Sequence, residues 1–389
     1  GLERVQRSVD LLLSPGRVLS VLRDFTLFEQ VAGGGKRKLT PRYPQVEAAE
    51  AILRKVLSGG TRGLIWQYQG TGKTLLMAFT ALMLLQREEV GGPTVVVVLD
   101  RLDLIEQVER QFKTAGLPRV TTAESKADLR RLLKDDQRGI ILTTIFRFED
   151  AGRLNDRDNI IVLVDEAHRT TEGNLGDDMR TALPNARFFG LTGTPIADSE
   201  KNTFRLFGDP DDPGRVLNTY SMERSIADGA SVPVHVETRL VDFHLDKSAL
   251  DDAFNALAEE ESLSEDDRDF LATKAGHVQT ILMNPDRIRR VCADIINHFE
   301  AKVAPLGMKA QVVAFDRTLV VAYETELKRL IAERGLSHEV SVVMSVGQGK
   351  DEPAEFLKHR RTRDEEARIK QQFNDEEDPR AFLVVTAKL

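Results

Sequence analysis

Cysteine and tryptophan are nearly absent: the chain holds one of each, Cys292 and Trp66. A lone cysteine excludes an internal disulfide and a zinc cluster of several thiolates, and it fits a reducing cytoplasm. Cys292 reads as a buried helix residue rather than a reactive thiol. Long apolar runs are missing as well. The longest, Leu75 to Leu85, is too short to span a bilayer. No segment has the layout of a signal peptide, so no membrane partner is expected. Positive charge is not in surplus: 54 Lys and Arg face 62 Asp and Glu, for a net charge of −8. That argues against a uniformly basic nucleic-acid coat and leaves room for a local groove. No short-period repeat or low-complexity tract is evident. The first residue is Gly1, so a processed chain or a piece of a longer one is expected.

What is present is a soluble-type composition, 41% hydrophobic and 30% charged over 389 residues. That length exceeds what one core usually supports, and two domains are expected. The most informative stretch is Trp66-Gln67-Tyr68-Gln69-Gly70-Thr71-Gly72-Lys73-Thr74. It follows the apolar run Gly63-Leu64-Ile65-Trp66 and precedes the helical run Leu75 to Leu85. Strand, glycine-rich turn and helix form a phosphate-binding loop, in which small residues let backbone N–H groups close around a phosphate. Lys73 then reaches the β- and γ-phosphates, and the Thr74 hydroxyl can hold Mg²⁺. Position 67 is Gln where the general pattern has Gly.

A second motif fits the first. Asn159 to Val164 is a continuous apolar run, as in a buried parallel strand, and it ends in Asp165-Glu166-Ala167-His168. An Asp at the C-terminal end of such a strand is where a nucleotide enzyme holds Mg²⁺, directly or through water. Glu166 is the candidate to orient or deprotonate the attacking water. The pair lies about 90 residues beyond the loop, with strands and helices alternating between. Candidate strands are Arg62–Trp66, Thr94–Leu99, Gly139–Thr143, Ile160–Val164 and Arg187–Leu191. The fold class is therefore α/β: a doubly wound parallel sheet, followed by a second α/β pattern with strands Gln311–Phe315, Val340–Met344 and Ala381–Thr386. The expected divisions are a helical lead-in over 1–40, a first α/β lobe over 41–240, an acidic helical connector over 241–305 and a partial second lobe over 306–389. Lys36-Arg37-Lys38 reads as a solvated loop. Trp66 and Tyr68 read as packing residues.

Four further elements join the constellation. Arg42-Tyr43-Pro44-Gln45 precedes the first helix of the domain, and the Gln45 amide can pair with donor and acceptor on an adenine edge. Asp100-Arg101-Leu102-Asp103 follows the second strand, where Arg101 can meet a phosphate backbone or pair with Asp103. Thr143 and Thr144 end the third strand and offer hydroxyls to backbone phosphate. Thr192-Gly193-Thr194-Pro195 ends the fifth.

In this order the set resembles the motifs of superfamily 2 helicases and translocases. Gly63-Leu64-Ile65-Trp66, Asp100 to Leu104, Asp165-Glu166-Ala167-His168-Arg169, Phe207-Gly208, Tyr220, Ala227-Asp228-Gly229, Val232-Pro233 and Glu237 resemble the motor subunit of type I restriction enzymes. The resemblance implies a RecA-like motor lobe over 41–240 followed by a second, incomplete RecA-like lobe over 306–389. It further implies an ATP- and Mg²⁺-dependent motor that translocates double-stranded DNA, works with modification and specificity subunits, and cuts far from its recognition site. It places Arg42, Gln45, Gln69, Gly70, Thr71, Gly72, Lys73 and Thr74 on the nucleotide and Thr74 and Asp165 on the metal. Lys73, Asp165 and Glu166 take the chemistry, Arg101, Thr143 and Thr144 the DNA. His168, Thr192, Gly193 and Thr194 couple the two. The family's upstream nuclease domain and the end of the second lobe, with the arginine that completes the site, are not expected within this chain. Slow turnover by the piece alone follows. Three alternatives stand beside this reading: another superfamily 2 translocase, such as a type III restriction or remodeller-like motor, an ATP-binding docking module without motor activity, and a simple phosphate-loop kinase, against which Thr192 to Pro195 and the second lobe count.

Overall fold

The computed structural model describes residues 9, 13–30, 35–135, 137–168, 175–195, 203–239, 281–347, 349 and 352–386. The chain divides into two compact units, 1–235 and 236–389.

The first unit is built on seven parallel strands. In chain order they are β3 (Arg62–Gln67), β4 (Thr94–Leu99), β5 (Val120–Thr122), β6 (Gly139–Thr144), β7 (Ile160–Val164), β8 (Arg187–Thr192) and β9 (Asn218–Tyr220), and they lie side by side as β5-β6-β4-β7-β8-β3-β9. Every residue of β4, β6 and β7 is buried. Helices cover both faces, which is why these strands carry unbroken Val, Ile and Leu rather than an alternating pattern. Neighbouring residues still divide between the faces. Ile65, Val97 and Leu163 join one core with the helices Tyr43–Leu57, Lys73–Leu85 and Leu102–Thr114. Leu64, Val96 and Val162 join the other with Lys126–Lys134 and Leu175–Ala182. All seven strands run the same way, so their C-terminal ends, and the loops that follow, share one edge.

The amino-terminal stretch corrects the expected solvated loop. After the helix Pro15–Asp24, β1 (Leu27–Gln30) pairs antiparallel with β2 (Lys36–Leu39). Lys36-Arg37-Lys38 is thus an exposed strand, tied to β1 by the Arg37–Glu29 ion pair. Four residues with no apolar alternation carry no strand signal. The segment is also anchored: Phe25 is fully buried, its ring 5.7 Å from Phe79 on the helix after the phosphate loop.

The second unit holds a three-stranded parallel sheet in the order β10 (Ala310–Ala314), β12 (Arg380–Thr386), β11 (Glu339–Val343). Its core gathers Ile296, Leu327, Phe382 and the fully buried Cys292 from the helices Pro285–His298 and Arg317–Glu333 and from the sheet. Burial pushes the Cys292 thiol up to about 12, as an inert core residue requires. The acidic clusters at 259–261 and 265–267 lie outside the described residues. Among the described residues no helix is long and apolar enough to cross a membrane.

Candidate nucleotide site

β3 delivers the phosphate loop, β7 delivers Asp165 and Glu166, and β8, lying between them, delivers Thr192 to Thr194. The loop needs left-handed backbone at Gly70 (φ 77°) and Gly72 (φ 86°), which glycine adopts without a Cβ penalty. Gly72 is doubly constrained, because a Cβ there would stand 2.5 Å from Gln45 Nε2. Thr71 closes the turn by donating to the Tyr68 carbonyl at 2.6 Å.

The Gln that replaces the pattern's glycine at position 67 has a structural use. Its side chain is fully buried, and Nε2 donates to the Pro44 carbonyl at 2.9 Å. The base of the loop is thereby fixed to the start of the helix that carries Gln45. Gln45 is itself turned onto the loop: Nε2 donates to the carbonyls of Thr71 (3.3 Å) and Gly72 (3.1 Å), and Oε1 accepts from the Arg42 N–H at 2.8 Å. To read an adenine edge the amide must exchange these bonds. Arg42 is exposed beside it, as is Gln69 at the other side of the turn.

Across the strand ends, Lys73 Nζ stands 4.0 Å from Glu166 Oε1. The loop and the two carboxylates therefore share one side of the sheet. The Asp165 N–H is held by the Val98 carbonyl at 2.9 Å, while its Oδ1 is buried without a hydrogen-bond partner. Burial, reinforced by the neighbouring carboxylates of Glu166 and Asp100, pushes the Asp165 carboxyl up to about 6, against the pull of Lys73. A buried carboxylate oxygen lacking a donor, amid excess negative charge, suits a divalent cation. Among the described residues no cluster of three or more His, Cys, Asp or Glu forms a metal cage. Mg²⁺ needs none, since it is commonly held by one or two protein oxygens together with phosphates and water. Thr74 and Asp165 meet that requirement.

His168 links this pair to the β8 turn. Its Nδ1 lies 3.4 Å from Glu166 Oε2 and 2.9 Å from Thr192 Oγ1, and Thr192 Oγ1 accepts from the Thr194 N–H at 3.1 Å. A Cβ on Gly193 would meet Gln69 Cγ at 2.8 Å, so the turn packs directly on the phosphate loop.

Thr143 and Thr144 stand apart from this group. Both are buried at the end of β6, and neither hydroxyl faces solvent. The exposed side chain there is Phe146. Arg101 is part-exposed and donates to Asp100 Oδ2 at 3.3 Å; the side chain of Asp103 lies outside the described residues. Sequence reasoning missed a clamp beside Gln45. Asp228 Oδ2 accepts from the hydroxyls of Tyr43 (2.5 Å) and Tyr220 (3.0 Å), joining residues far apart in sequence. Tyr220 and Asp228 stand in the sequence only as points of family resemblance, without a role, and the polar tip of Tyr43 at a helix start is the local hint.

A parallel sheet with a phosphate loop after one strand and Asp-Glu after another, two places along the sheet, defines a RecA-like nucleotide-binding ATPase of the helicase type. The chain belongs to the SWI2/SNF2 ATPase family, which it matches over residues 44–268. It is 31% identical, over 97% of its length, to a chain of Methanocaldococcus jannaschii named for the endonuclease subunit of the type I restriction enzyme MjaIXP. It is 30% identical, over 98% of its length, to the type I restriction enzyme HindI endonuclease subunit of Haemophilus influenzae. The chain spans only 36% and 38% of these two relatives. Among solved structures, the ATP-dependent Type ISP restriction-modification enzyme LlaBIII bound to DNA shares its fold, with a TM-score of 0.53 at 16% identity over 91% of this chain and 25% of that one.

Proposed function

We propose that the chain is the ATP-driven, double-stranded DNA translocase motor of a type I restriction endonuclease, acting in the cytoplasm with modification and specificity subunits. One observation carries the catalytic half: Lys73 and Glu166 meet at 4.0 Å beside an Asp165 oxygen that lacks a donor. The named relatives support the restriction half.

Arg42 and Gln45 face the adenine, with Gln45 exchanging its bonds to Thr71 and Gly72 for the base edge. Gln69, Gly70, Thr71 and Gly72 present backbone N–H groups to the phosphates. Lys73 adds a point charge at the β- and γ-phosphates. When bound, Mg²⁺ would neutralise charge on the phosphates. Thr74 and Asp165 are the residues that would hold it. Glu166 orients the attacking water and takes its proton at a carboxylate oxygen; Oε1 is the one nearer Lys73. Glu166 loses its γ-phosphate neighbour after hydrolysis, and His168 passes that change to Thr192, Gly193 and Thr194. Arg101, which follows β4, faces the proposed DNA side; Thr143 and Thr144, buried at the end of β6, support that side without touching DNA.

The test is ATP hydrolysis by the full-length protein with and without duplex DNA. Stimulation by DNA, with no strand separation, supports the motor. Hydrolysis indifferent to DNA would favour an ATP-binding docking module instead.

A further inference from the structure

We infer that Trp66 is a positioning residue that fixes the Thr192–Thr194 turn against the phosphate loop, and so takes part in passing the nucleotide state out of the site. Resting on the motor reading above, the inference gives a role to a residue read from the sequence only as packing. Trp66 is the only tryptophan of the chain. It sits in β3 in register with Thr192 of β8, so the two begin adjacent turns. The residues on either side of it, Ile65 and Gln67, are fully buried, whereas Trp66 is 37% exposed. A packing residue at this point of a sheet would go into the core; this one lies along its rim. There its Nε1–H donates to the Gly193 carbonyl at 3.2 Å.

Gly193 is thereby held from two directions. On one side the indole takes its carbonyl; on the other, Gln69 fills the space a Cβ would need, with the Gln69 backbone N 3.2 Å from that point. The next residue back, Thr192, touches His168, which reaches Glu166. Any movement of Gln69 around a phosphate therefore presses on Gly193. The indole, bonded to the same residue and open to solvent, must move or change its hydrogen bond with it. Phenylalanine at this position keeps a ring but has no N–H, so the donor can be removed without emptying the site.

The sole tryptophan makes the test direct. Its emission is measured on this chain alone, with Mg-ADP and with a non-hydrolysable Mg-ATP analogue, while calorimetry follows binding. The expected result is an emission maximum that differs between the two nucleotides and reverts when EDTA strips the metal. Identical spectra for the free, Mg-ADP and Mg-ATP-analogue forms, with binding confirmed by heat, would overturn the inference. If neither nucleotide gives a binding heat, the motor reading itself fails and this inference with it. In the full-length protein, Trp66→Phe should lower kcat with duplex DNA by about tenfold and leave KM for ATP within about twofold. A raised KM at unchanged kcat would mark a wall of the nucleotide pocket rather than a link to the turn, and would overturn the assignment. DNA stimulation absent already in the unmutated protein would sink the motor reading while the spectra still judge the link between Trp66 and the phosphate loop.

Discussion

Glu166 holds a φ of +46°, a conformation that residues with a β-carbon rarely adopt. Its surroundings enforce it. Asp165 is pinned to Val98 before it, and Ala167 is buried after it, in the space where a Cβ on Gly190 would fall. Strain kept at such a place is consistent with a catalytic carboxylate aimed at a fixed point. Replacing Glu166 with Gln keeps the shape and removes the base. Calorimetry should find Mg-ATP binding within a few-fold of the unmutated protein, and phosphate release should fall by roughly 100-fold or more; an active variant would refute the role. Gly72→Ala puts a methyl group against Gln45 at a φ of 86°, and should cost about 1–3 kcal/mol of stability, read from urea midpoints, besides lost nucleotide binding. At this scale the sequence was legible where chemistry demands fixed spacing: the loop, Asp165-Glu166 and the turn after β8 are read directly. Gln67, Trp66 and Asp228 were not. Their partners Pro44, Gly193 and Tyr43 are supplied by packing, which no local pattern encodes.

Among elements, the helix Pro15–Asp24 shows how the amino-terminal stretch supports the site. Asp24 is fully buried and receives Arg87 at 3.1 and 2.7 Å, just past the end of the helix that begins at Lys73. Burial alone would raise the Asp24 carboxyl; the bonds from Arg23 and Arg87 outweigh it and hold it below the usual range. A carboxyl lowered in the fold contributes stability that is complete above its unfolded value of about 4. That contribution fades as pH falls through its lower native value. Arg87→Ala should therefore destabilise by about 3 kcal/mol at pH 7, with Arg23 remaining as partner. The penalty should be smaller at about pH 2 than at pH 7, because acid favours the protonated form of Asp24. Urea titrations at the two pH values check this; a penalty that does not change with pH would contradict it. The long strands were legible to within a residue or two, because runs of Val and Ile covered on both faces carry a strong signal. The three-residue strands β5 and β9 and the polar hairpin β1–β2 were not, since so few residues give no period to detect.

Over the whole molecule, the chain divides into two compact units, 1–235 and 236–389. The nucleotide residues proposed here all lie in the first unit. Hydrogen exchange read by mass spectrometry with Mg-ATP should show slowed exchange in peptides covering 67–76 and 164–168, while the strands β10, β11 and β12 change little. Slowing confined to the second unit would place the ligand elsewhere. What the chain's relatives do as whole enzymes is less legible, because it spans little more than a third of their length.

The central claim is tested most directly by a crystal structure of the chain with a non-hydrolysable ATP analogue and Mn²⁺ in place of Mg²⁺. The expected anomalous peak touches the Thr74 hydroxyl and one terminal phosphate oxygen, and reaches the Asp165 carboxylate directly or through one water. A peak bound to only one of these two side chains, or a triphosphate lying away from Gly70 to Thr74, would contradict it.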